Sequence, residues 1–169
     1  MPASCHGGWL FIIAKEMIPV GINIKKFDIR IIKEKGGRYD LDKKLTTPFS
    51  AVKVFVEVLE LDKRTEELFA MITLDVKNQI TGIFEVSKGG LHQSIVHPRN
   101  VFQRAILQNA AAIILAHNHP STETTASKED IRITKKLMAA GEILGIEILD
   151  HLIIGDENKF SSMKERDLI

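Results

Sequence analysis

Two histidines, His117 and His119, are separated by one residue and lie where metal ligands often occur. They follow the run 110–116, whose small and β-branched residues predict a buried central strand. Residues two apart on an extended chain point to the same side, so both imidazoles can face one metal ion. Pro120 then lacks a backbone N–H and stops the strand from continuing. Alone, a His-x-His pair is weak evidence for a metal site, because many such pairs are simply polar residues at a strand end.

Ser127 and Asp130 form a second pattern, Ser-x-x-Asp, at the start of a predicted helix. It matches a capping box, in which two side chains bind each other's backbone N–H groups, although Glu or Gln is the usual last member. Capping by itself would account for both residues. The capping and ligand roles are nevertheless compatible, because a helix N-terminus holds a short carboxylate rigidly and its dipole favours the ionised form.

Two imidazoles and one carboxylate would bind three positions of a tetrahedral zinc ion and leave the fourth open, as in catalytic zinc sites. Zinc lowers the pKa of a water in the open position to about 7 and so provides hydroxide at neutral pH. Hydrolysis also requires a general base and a group that stabilises the oxyanion. Ser127 can donate its hydroxyl hydrogen, whereas the base must be a carboxylate from elsewhere in the chain. The combined pattern predicts a zinc-dependent hydrolase.

The elements that position these residues are predicted from periodicity and from turn residues. Thr47-Pro48 is typical of a helix start, and a buried stripe is expected along that helix at Phe49, Val52, Val56 and Leu59. Strands alternate with helices around a central sheet, which makes the fold α/β or α+β. In chain order, the expected elements are an edge strand at 27–31, this first helix, a strand at 68–74, a hairpin turn at 75–78, a strand at 79–86, a helix at 98–109, a strand at 110–116, a helix at 128–140 ended by Gly141, a strand at 146–154 and a short closing element from Lys159.

Composition narrows the function classes. A chain of 169 residues fits one domain, and its net charge of +1 gives no sign of the strongly basic surface of a dedicated nucleic-acid binder. Cys5 is the single cysteine, which excludes an internal disulfide and a zinc site built on several thiolates. The apolar run from 9 to 24 is too short to span a membrane and is interrupted by charges, and it lacks the features of a signal peptide. A cytoplasmic protein is therefore expected.

The segment His117-x-His119-Pro120-(six residues)-Ser127-x-x-Asp130 resembles the signature of the JAMM (MPN+) metalloproteases, and its surroundings resemble the bacterial RadC-like branch. The resemblance covers about residues 27–169 and leaves 1–26 as a variable N-terminal extension. Two positions differ from the usual family pattern: Thr122 stands in place of Gly, and Ala126 in place of Pro. Neither is a ligand, so loop geometry is affected rather than metal binding. Matching stretches include 74–78, 96–102, 109–121 and 149–151.

The resemblance implies a mixed central sheet flanked by helices, similar to the cytidine deaminase fold. It also implies one Zn²⁺ per chain, bound by His117, His119 and Asp130, with Ser127 steadying the tetrahedral intermediate. A glutamate eight residues before Asp75 would be the general base, which is Glu67. If both lie on the strand, the neighbouring Glu66 would point to the opposite face, so only one can serve. The implied reaction is cleavage of a peptide or isopeptide bond in an unidentified peptide or protein substrate.

Two other classes of function are alternatives to the hydrolase. One is a metal-binding accessory protein in DNA repair or recombination with little hydrolytic activity. RadC-like proteins often carry an N-terminal helix-hairpin-helix region linked with DNA binding, and no such region fits in residues 1–26, so DNA binding is weakly supported. The other, a zinc nucleobase deaminase, requires a His-x-Glu and a Pro-Cys-x-x-Cys that this sequence lacks. Among the other histidines, His151 in an apolar strand is expected to be a hydrogen-bonded core residue, and His97 to be structural.

Overall fold

The computed structural model describes residues 32–33, 36–89, 96–156 and 158–169. The predicted edge strand at 27–31, the apolar run at 9–24 and the boundary expected at residue 26 lie outside these ranges. One short turn of 3-10 helix is present at Leu61–Lys63. The described helices and strands are, in chain order, α1 (Pro48–Leu59), β1 (Leu68–Leu74), β2 (Ile80–Lys88), α2 (Pro98–Leu107), β3 (Ala112–Asn118), α3 (Lys128–Leu144), β4 (Glu147–Asp156) and β5 (Lys159–Ser162).

The strands form one five-stranded sheet in the order β2-β1-β3-β4-β5, with β3 at its centre. β3 and β4 are parallel and are connected through α3, whereas the other neighbouring pairs are antiparallel. The hairpin between β1 and β2 turns at Asp75, whose carboxylate accepts hydrogen bonds from the backbone N–H groups of Lys77 and Gln79. The expected fold class, a mixed central sheet flanked by helices, is confirmed.

Residue parity decides which face of the sheet each side chain of β1 and β3 occupies, because successive side chains of a strand alternate between faces. Even-numbered residues such as Ile72 and Ile114 pack with α1, in a cluster that includes Phe55. Odd-numbered residues such as Met71 and Leu115 pack with residues of α2 and α3. Both strands are therefore buried along their whole length, which explains their continuous apolar sequences. The same parity assigns odd-numbered 117 to the α3 face of the sheet.

The predicted start of α1 is confirmed, but the predicted buried stripe is partly wrong. Thr47 is the N-cap, its side chain accepts a hydrogen bond from the backbone N–H of Ser50, and proline occupies the first turn. Phe49 is 43% exposed, whereas the buried residues of this helix are Ala51, Val52, Val54 and Phe55. Phe49 lies in the first turn, where its ring contacts that of Phe160 at a centroid distance of 6.2 Å instead of entering the core.

The predicted end of α3 at Gly141 is wrong, because the helix continues to Leu144 and is capped by Gly145 in the left-handed conformation, with φ 68°. Gly141 is buried within the helix. A Cβ atom at this position would lie 2.5 Å from the carbonyl oxygen of Ile146 and 3.3 Å from the ring of Phe102. The missing side chain of Gly141 thus permits close packing and does not end the helix.

The other observed helix and strand boundaries differ from the predicted ones by a few residues. β3 extends through Asn118, so His117 lies within the strand and not after it. α2 ends at Leu107, and β2 ends just before Gly89 as expected. None of the helices in the part of the chain that the structure describes combines the length and apolar character needed to span a bilayer.

Replacement of Gly141 by alanine is expected to destabilise the fold even though alanine is the better helix former. The new methyl group would clash with backbone rather than with a movable side chain, and such overpacking lowers the free energy of unfolding by about 1–3 kcal/mol. Chemical denaturation of G141A beside the neighbouring exposed variant E142A measures this, with E142A expected within about 0.5 kcal/mol of wild type. Equal stability of the two variants would contradict the packing role of Gly141.

Candidate metal centre

His117 lies near the C-terminal end of β3 and His119 directly follows that strand, and their side chains approach each other on one side of the sheet. Their Nε2 atoms are 3.0 Å apart. His117 is buried and its ring is stacked parallel to that of Phe69, its cross-strand neighbour in β1. The backbone N–H of His119 binds the carbonyl of Ile154 at 2.9 Å, which continues the parallel β3–β4 pairing beyond the end of the strand. The prediction that both imidazoles face one point is confirmed.

Asp130 approaches the two histidines from the first turn of α3 and is buried. Its Oδ2 accepts a hydrogen bond from the backbone N–H of Ser127 at 2.7 Å, and the hydroxyl of Ser127 accepts one from the backbone N–H of Asp130 at 3.1 Å. The predicted capping box is therefore present. The other carboxylate oxygen, Oδ1, is buried and has no hydrogen-bond partner. A buried carboxylate oxygen without a partner is costly unless a cation neutralises it.

The three side chains can hold a metal ion. One ligand atom from each of His117, His119 and Asp130 lies within 4.8 Å of the other two. Oδ1 of Asp130 is 3.6 Å from Nε2 of His117, and Oδ2 is 4.0 Å from Nε2 of His119. Two ligand atoms bound to a tetrahedral zinc ion at about 2.0–2.1 Å are about 3.3 Å apart. The separations from Nε2 of His117, 3.0 Å to Nε2 of His119 and 3.6 Å to Oδ1 of Asp130, lie on either side of that value, so the donor set fits a metal of this size.

The ring of His119 is oriented by a tight turn that follows β3. The N–H of Thr122 binds the carbonyl of His119 at 2.8 Å, with Pro120 at the second position of the turn, which proline favours. The next carbonyl, that of Glu123, is 2.5 Å from Nδ1 of His119. A carbonyl can only accept, so Nδ1 carries the hydrogen. In the neutral ring, Nε2 then has a free lone pair directed at the metal position.

The same turn packs directly against β4. A Cβ atom at Gly155 would lie 2.7 Å from the carbonyl oxygen of Thr122, so the turn rests on a position that has no side chain. Thr122 itself has φ 59°, an uncommon conformation for a β-branched residue. The resemblance to the RadC-like branch implies glycine at this position. Thr122 is therefore accommodated with backbone strain beside the site, while the carbonyl of Glu123 contacts His119.

Burial is the main influence on the pKa of His117. It lowers the pKa of His117 to about 4, and the nearby negative charge of Asp130 opposes the shift only in part. Burial also holds the pKa of His151 well below its usual value, and the neighbouring His117 and His119 act in the same direction. Both rings are therefore neutral at physiological pH. A neutral imidazole is the form that binds a metal ion.

Ser127 and Glu67, the residues expected to act in catalysis, have different surroundings. Ser127 is exposed at the N-terminus of α3, and its hydroxyl oxygen accepts a hydrogen bond from the backbone N–H of Asp130. Glu67 is half-buried directly before β1, and its backbone carbonyl accepts a hydrogen bond from Gly89 at 2.9 Å. The neighbouring Glu66 is exposed. Glu67 is not part of the His117–His119–Asp130 ligand group.

Known proteins place the chain in a family. The RadC-like JAB domain family matches residues 45–168. A UPF0758 protein of Moorella thermoacetica is 57% identical over 103 residues, which are 61% of this chain and 44% of the relative. A UPF0758 protein of Clostridium perfringens is 45% identical over 126 residues, 75% of this chain and 54% of the relative. The chain belongs to the RadC-like JAB domain family. It spans about half the length of the curated relatives that it matches.

Within this RadC-like site, Asn118 is a residue whose role the sequence analysis missed. It separates the two histidines, so its buried side chain points to the opposite face of the sheet. Its Oδ1 accepts a hydrogen bond from the backbone N–H of Leu68 at 2.7 Å. Its Nδ2 donates to the carbonyl oxygens of Arg64 and Glu66, each at 3.2 Å. Asn118 thereby ties the segment that carries Glu67 to the strand that carries the histidines. The position inside the His-x-His motif was the only signal in the sequence.

His151 and Thr134 also gain a role from the fold. The expectation that His151 is a hydrogen-bonded core residue is confirmed, and its partner is the candidate ligand His117, with 2.8 Å between Nε2 of His151 and Nδ1 of His117. Thr134 contacts the other side of the same ring. Its only signal in the sequence is its position four residues after Asp130, on the same face of α3. His97, expected to be structural, caps α2 through its side chain.

Substitution of Asn118 by alanine is expected to lower the free energy of unfolding without loss of metal. The change leaves the N–H of Leu68 and two nearby carbonyls without their partner, and a buried group left unpaired costs about 1–3 kcal/mol. Urea denaturation of N118A and of the exposed helix variant N100A measures the difference in free energy of unfolding. The metal content of both variants shows whether the metal-binding side chains are still in place. Stability of N118A equal to that of N100A would show that Asn118 does not hold the two segments together.

Proposed function

We propose that this RadC-like domain is a zinc-dependent hydrolase that cleaves a peptide or isopeptide bond in a peptide or protein substrate. The observation that carries the proposal is the buried Oδ1 of Asp130, which lacks a partner and lies 3.6 Å from Nε2 of His117. A structural capping residue would need only Oδ2 for the cap. The second oxygen and the two imidazole nitrogens together form a donor set for a cation.

Zinc is the metal that this donor set favours, since neutral imidazole and a single carboxylate are its usual ligands in three-ligand catalytic sites. Once bound, zinc would act as a Lewis acid and provide hydroxide from water at neutral pH. His117 lies in β3 and Asp130 in α3, which are packed against the same core cluster, and His119 directly follows β3 and remains hydrogen-bonded to β4. A site built on such elements keeps its geometry better than one built on loops.

Glu67 is proposed as the general base. In the antiparallel pairing of β1 and β3, Phe69 is opposite His117. Continued by two residues, this register sets Glu67 opposite His119. Directly opposed residues of an antiparallel pair project from the same face, which favours a carboxylate on the histidine side of the sheet. The half-burial of Glu67 and the exposure of Glu66 agree with this choice between the two.

Ser127 is proposed to stabilise the oxyanion. Its hydroxyl oxygen already accepts the N–H of Asp130, so its hydrogen is available for donation. It is held by the capping box next to the ligand carboxylate and is exposed, so a substrate can reach it. A preorganised donor of this kind is worth about 10²–10³-fold in the rate of acyl transfer.

Metal content tests the first part of this proposal. Purified protein is expected to hold about one zinc ion per chain, and H119A is expected to hold almost none, because it removes a ligand and leaves the fold of β3 intact. The matched control is H97N, which removes a histidine but keeps a side chain able to cap α2. Elemental analysis for zinc, iron, nickel and copper gives the result. Wild type without metal, or with iron in place of zinc, would refute the assignment.

Activity of glutamate variants tests the second part. The substitution Glu67→Gln is expected to lower hydrolysis by about 10²–10⁴-fold through loss of the general base, with zinc content unchanged. Glu66→Gln is the matched control, and its activity is expected to equal that of wild type. A peptide library incubated with zinc-loaded protein provides the assay. Equal activity of the two variants would remove Glu67 as the base, and zinc binding without any cleavage by wild type would favour the accessory metal-binding function instead.

A further inference from the structure

We infer that His151 and Thr134 are positioning residues for the metal ligand His117, because they keep its Nε2 free of hydrogen through a chain of hydrogen bonds that ends on the backbone of the second ligand, Asp130. This inference rests on the metal site of the proposed function. It assigns a role to two buried residues that do not contact the metal position themselves.

The contacts form a continuous chain in the interior. Nδ1 of His117 is 2.8 Å from Nε2 of His151, and Nδ1 of His151 is 2.6 Å from the hydroxyl oxygen of Thr134. That hydroxyl is in turn 2.6 Å from the carbonyl oxygen of Asp130, and 3.8 Å from the sulfur of Met163. The three linked side chains are buried. Each of the three short contacts among nitrogen and oxygen atoms must therefore have its own hydrogen, since buried polar groups are nearly always paired. The sulfur of Met163 is too distant to compete for one.

The Asp130 end of the chain fixes the direction of every hydrogen bond. The carbonyl oxygen of Asp130 has no hydrogen, so the hydroxyl of Thr134 must donate to it. The hydroxyl has only one hydrogen, and therefore it must accept from Nδ1 of His151. If the hydroxyl instead donated to His151, two oxygens would face each other at 2.6 Å with no hydrogen between them. His151 consequently carries its hydrogen on Nδ1.

The position of the hydrogen on His151 then determines its position on the proposed ligand His117. A buried neutral His151 with its hydrogen on Nδ1 has a bare Nε2, which can only accept. The 2.8 Å contact with His117 therefore requires the hydrogen of His117 to be on Nδ1. Nε2 of His117 is left with a free lone pair that points toward His119 and Asp130. Hydrogen bonding at one ring nitrogen of a ligand histidine commonly fixes its tautomer and raises its basicity in this way.

The chain of hydrogen bonds also connects the two proposed ligands, His117 and Asp130, in space. It begins on the ring of His117 in β3, passes through His151 in β4 and Thr134 in α3, and ends on the main chain of Asp130. The edge of the ring of His151 packs against Phe69, at a centroid distance of 5.3 Å. A shift of α3 relative to the sheet would break the chain. The orientation of one ligand is thus tied to the placement of the other.

Threonine variants provide the test, because Thr134 can lose its hydroxyl with little change of shape. In T134V, Nδ1 of His151 has no acceptor, so its hydrogen is expected to move to Nε2 and that of His117 to Nε2 as well. The zinc affinity is expected to fall about 10–100-fold, the usual effect of losing such a partner. The matched control T134S keeps the hydroxyl, and its zinc affinity is expected to remain close to that of wild type. Competition with a chelator of known zinc affinity measures both values.

A second readout does not involve metal. Long-range ¹H–¹⁵N NMR correlations of the metal-free protein report which ring nitrogen of His117 carries the hydrogen. Nδ1 is expected in wild type and T134S, and Nε2 in T134V. An unchanged tautomer together with equal zinc affinity in T134V and T134S would overturn the inference. If wild type bound no zinc, the proposed metal site would fail, while the tautomer of His117 would still decide whether the chain of hydrogen bonds operates.

Variants of His151 provide a second test of the inference if T134V does not fold. His151→Gln retains a carbonyl oxygen that can accept from His117 and an amide that can donate to Thr134, whereas His151→Leu has neither. Zinc affinity and the Nδ1 tautomer of His117 are expected to be retained far better in H151Q than in H151L. Equal loss in both variants would mean that His151 acts by packing alone, which contradicts the inference.

Discussion

The carboxylate of Asp130 has two oxygens in different environments, and the arrangement of the site depends on that difference. Oδ2 is bound to the N–H of Ser127 and closes the capping box of α3, so the first turn of the helix holds the side chain in one orientation. Oδ1 is then directed at His117 and is buried without a partner. The helix dipole favours the ionised carboxylate at this end. In the proposed site one side chain therefore both caps the helix and can serve as a ligand, and the cap provides the rigidity that a ligand needs.

The alternation of side chains along β3 distributes the rest of the site. The odd-numbered residues His117 and His119 face Asp130, while Asn118 between them projects to the other face and binds the segment that precedes β1. The central position of β3 in the sheet gives it neighbours on both sides, so one tripeptide contacts β1 and β4 at the same time. In this way the tripeptide that carries the two proposed histidine ligands also holds the backbone next to Glu67.

Each histidine is oriented by a partner from outside β3, and the two partners differ. His119 contacts the carbonyl of Glu123 in the turn that follows the strand, and this turn is seated on Gly155 of β4. The partner of His117 is a side chain, His151, which is itself held by Thr134. The exposed half of the site is thus supported by backbone and the buried half by a side-chain network. Burial gives the latter its strength, because a polar group with an unpaired hydrogen is costly there.

Much of the molecule could be read from the sequence alone. The residue types and spacing of His117, His119, Ser127 and Asp130 predicted a group that can hold a metal, because a strand period of two and a helix cap are local properties. The helix starts at Thr47 and Ser127, the hairpin at Asp75 and the buried strands were predicted for the same reason. Gly141 was misread because glycine both ends helices and permits close packing, and only the approach of Ile146 and Phe102 distinguishes the two. The partners of Asn118, His151 and Thr134 likewise depended on tertiary structure. Apart from the local contact of Thr134 with Asp130, these partners are 17 to 54 residues distant along the chain, and no local pattern encodes a contact between a sheet register and a helix face.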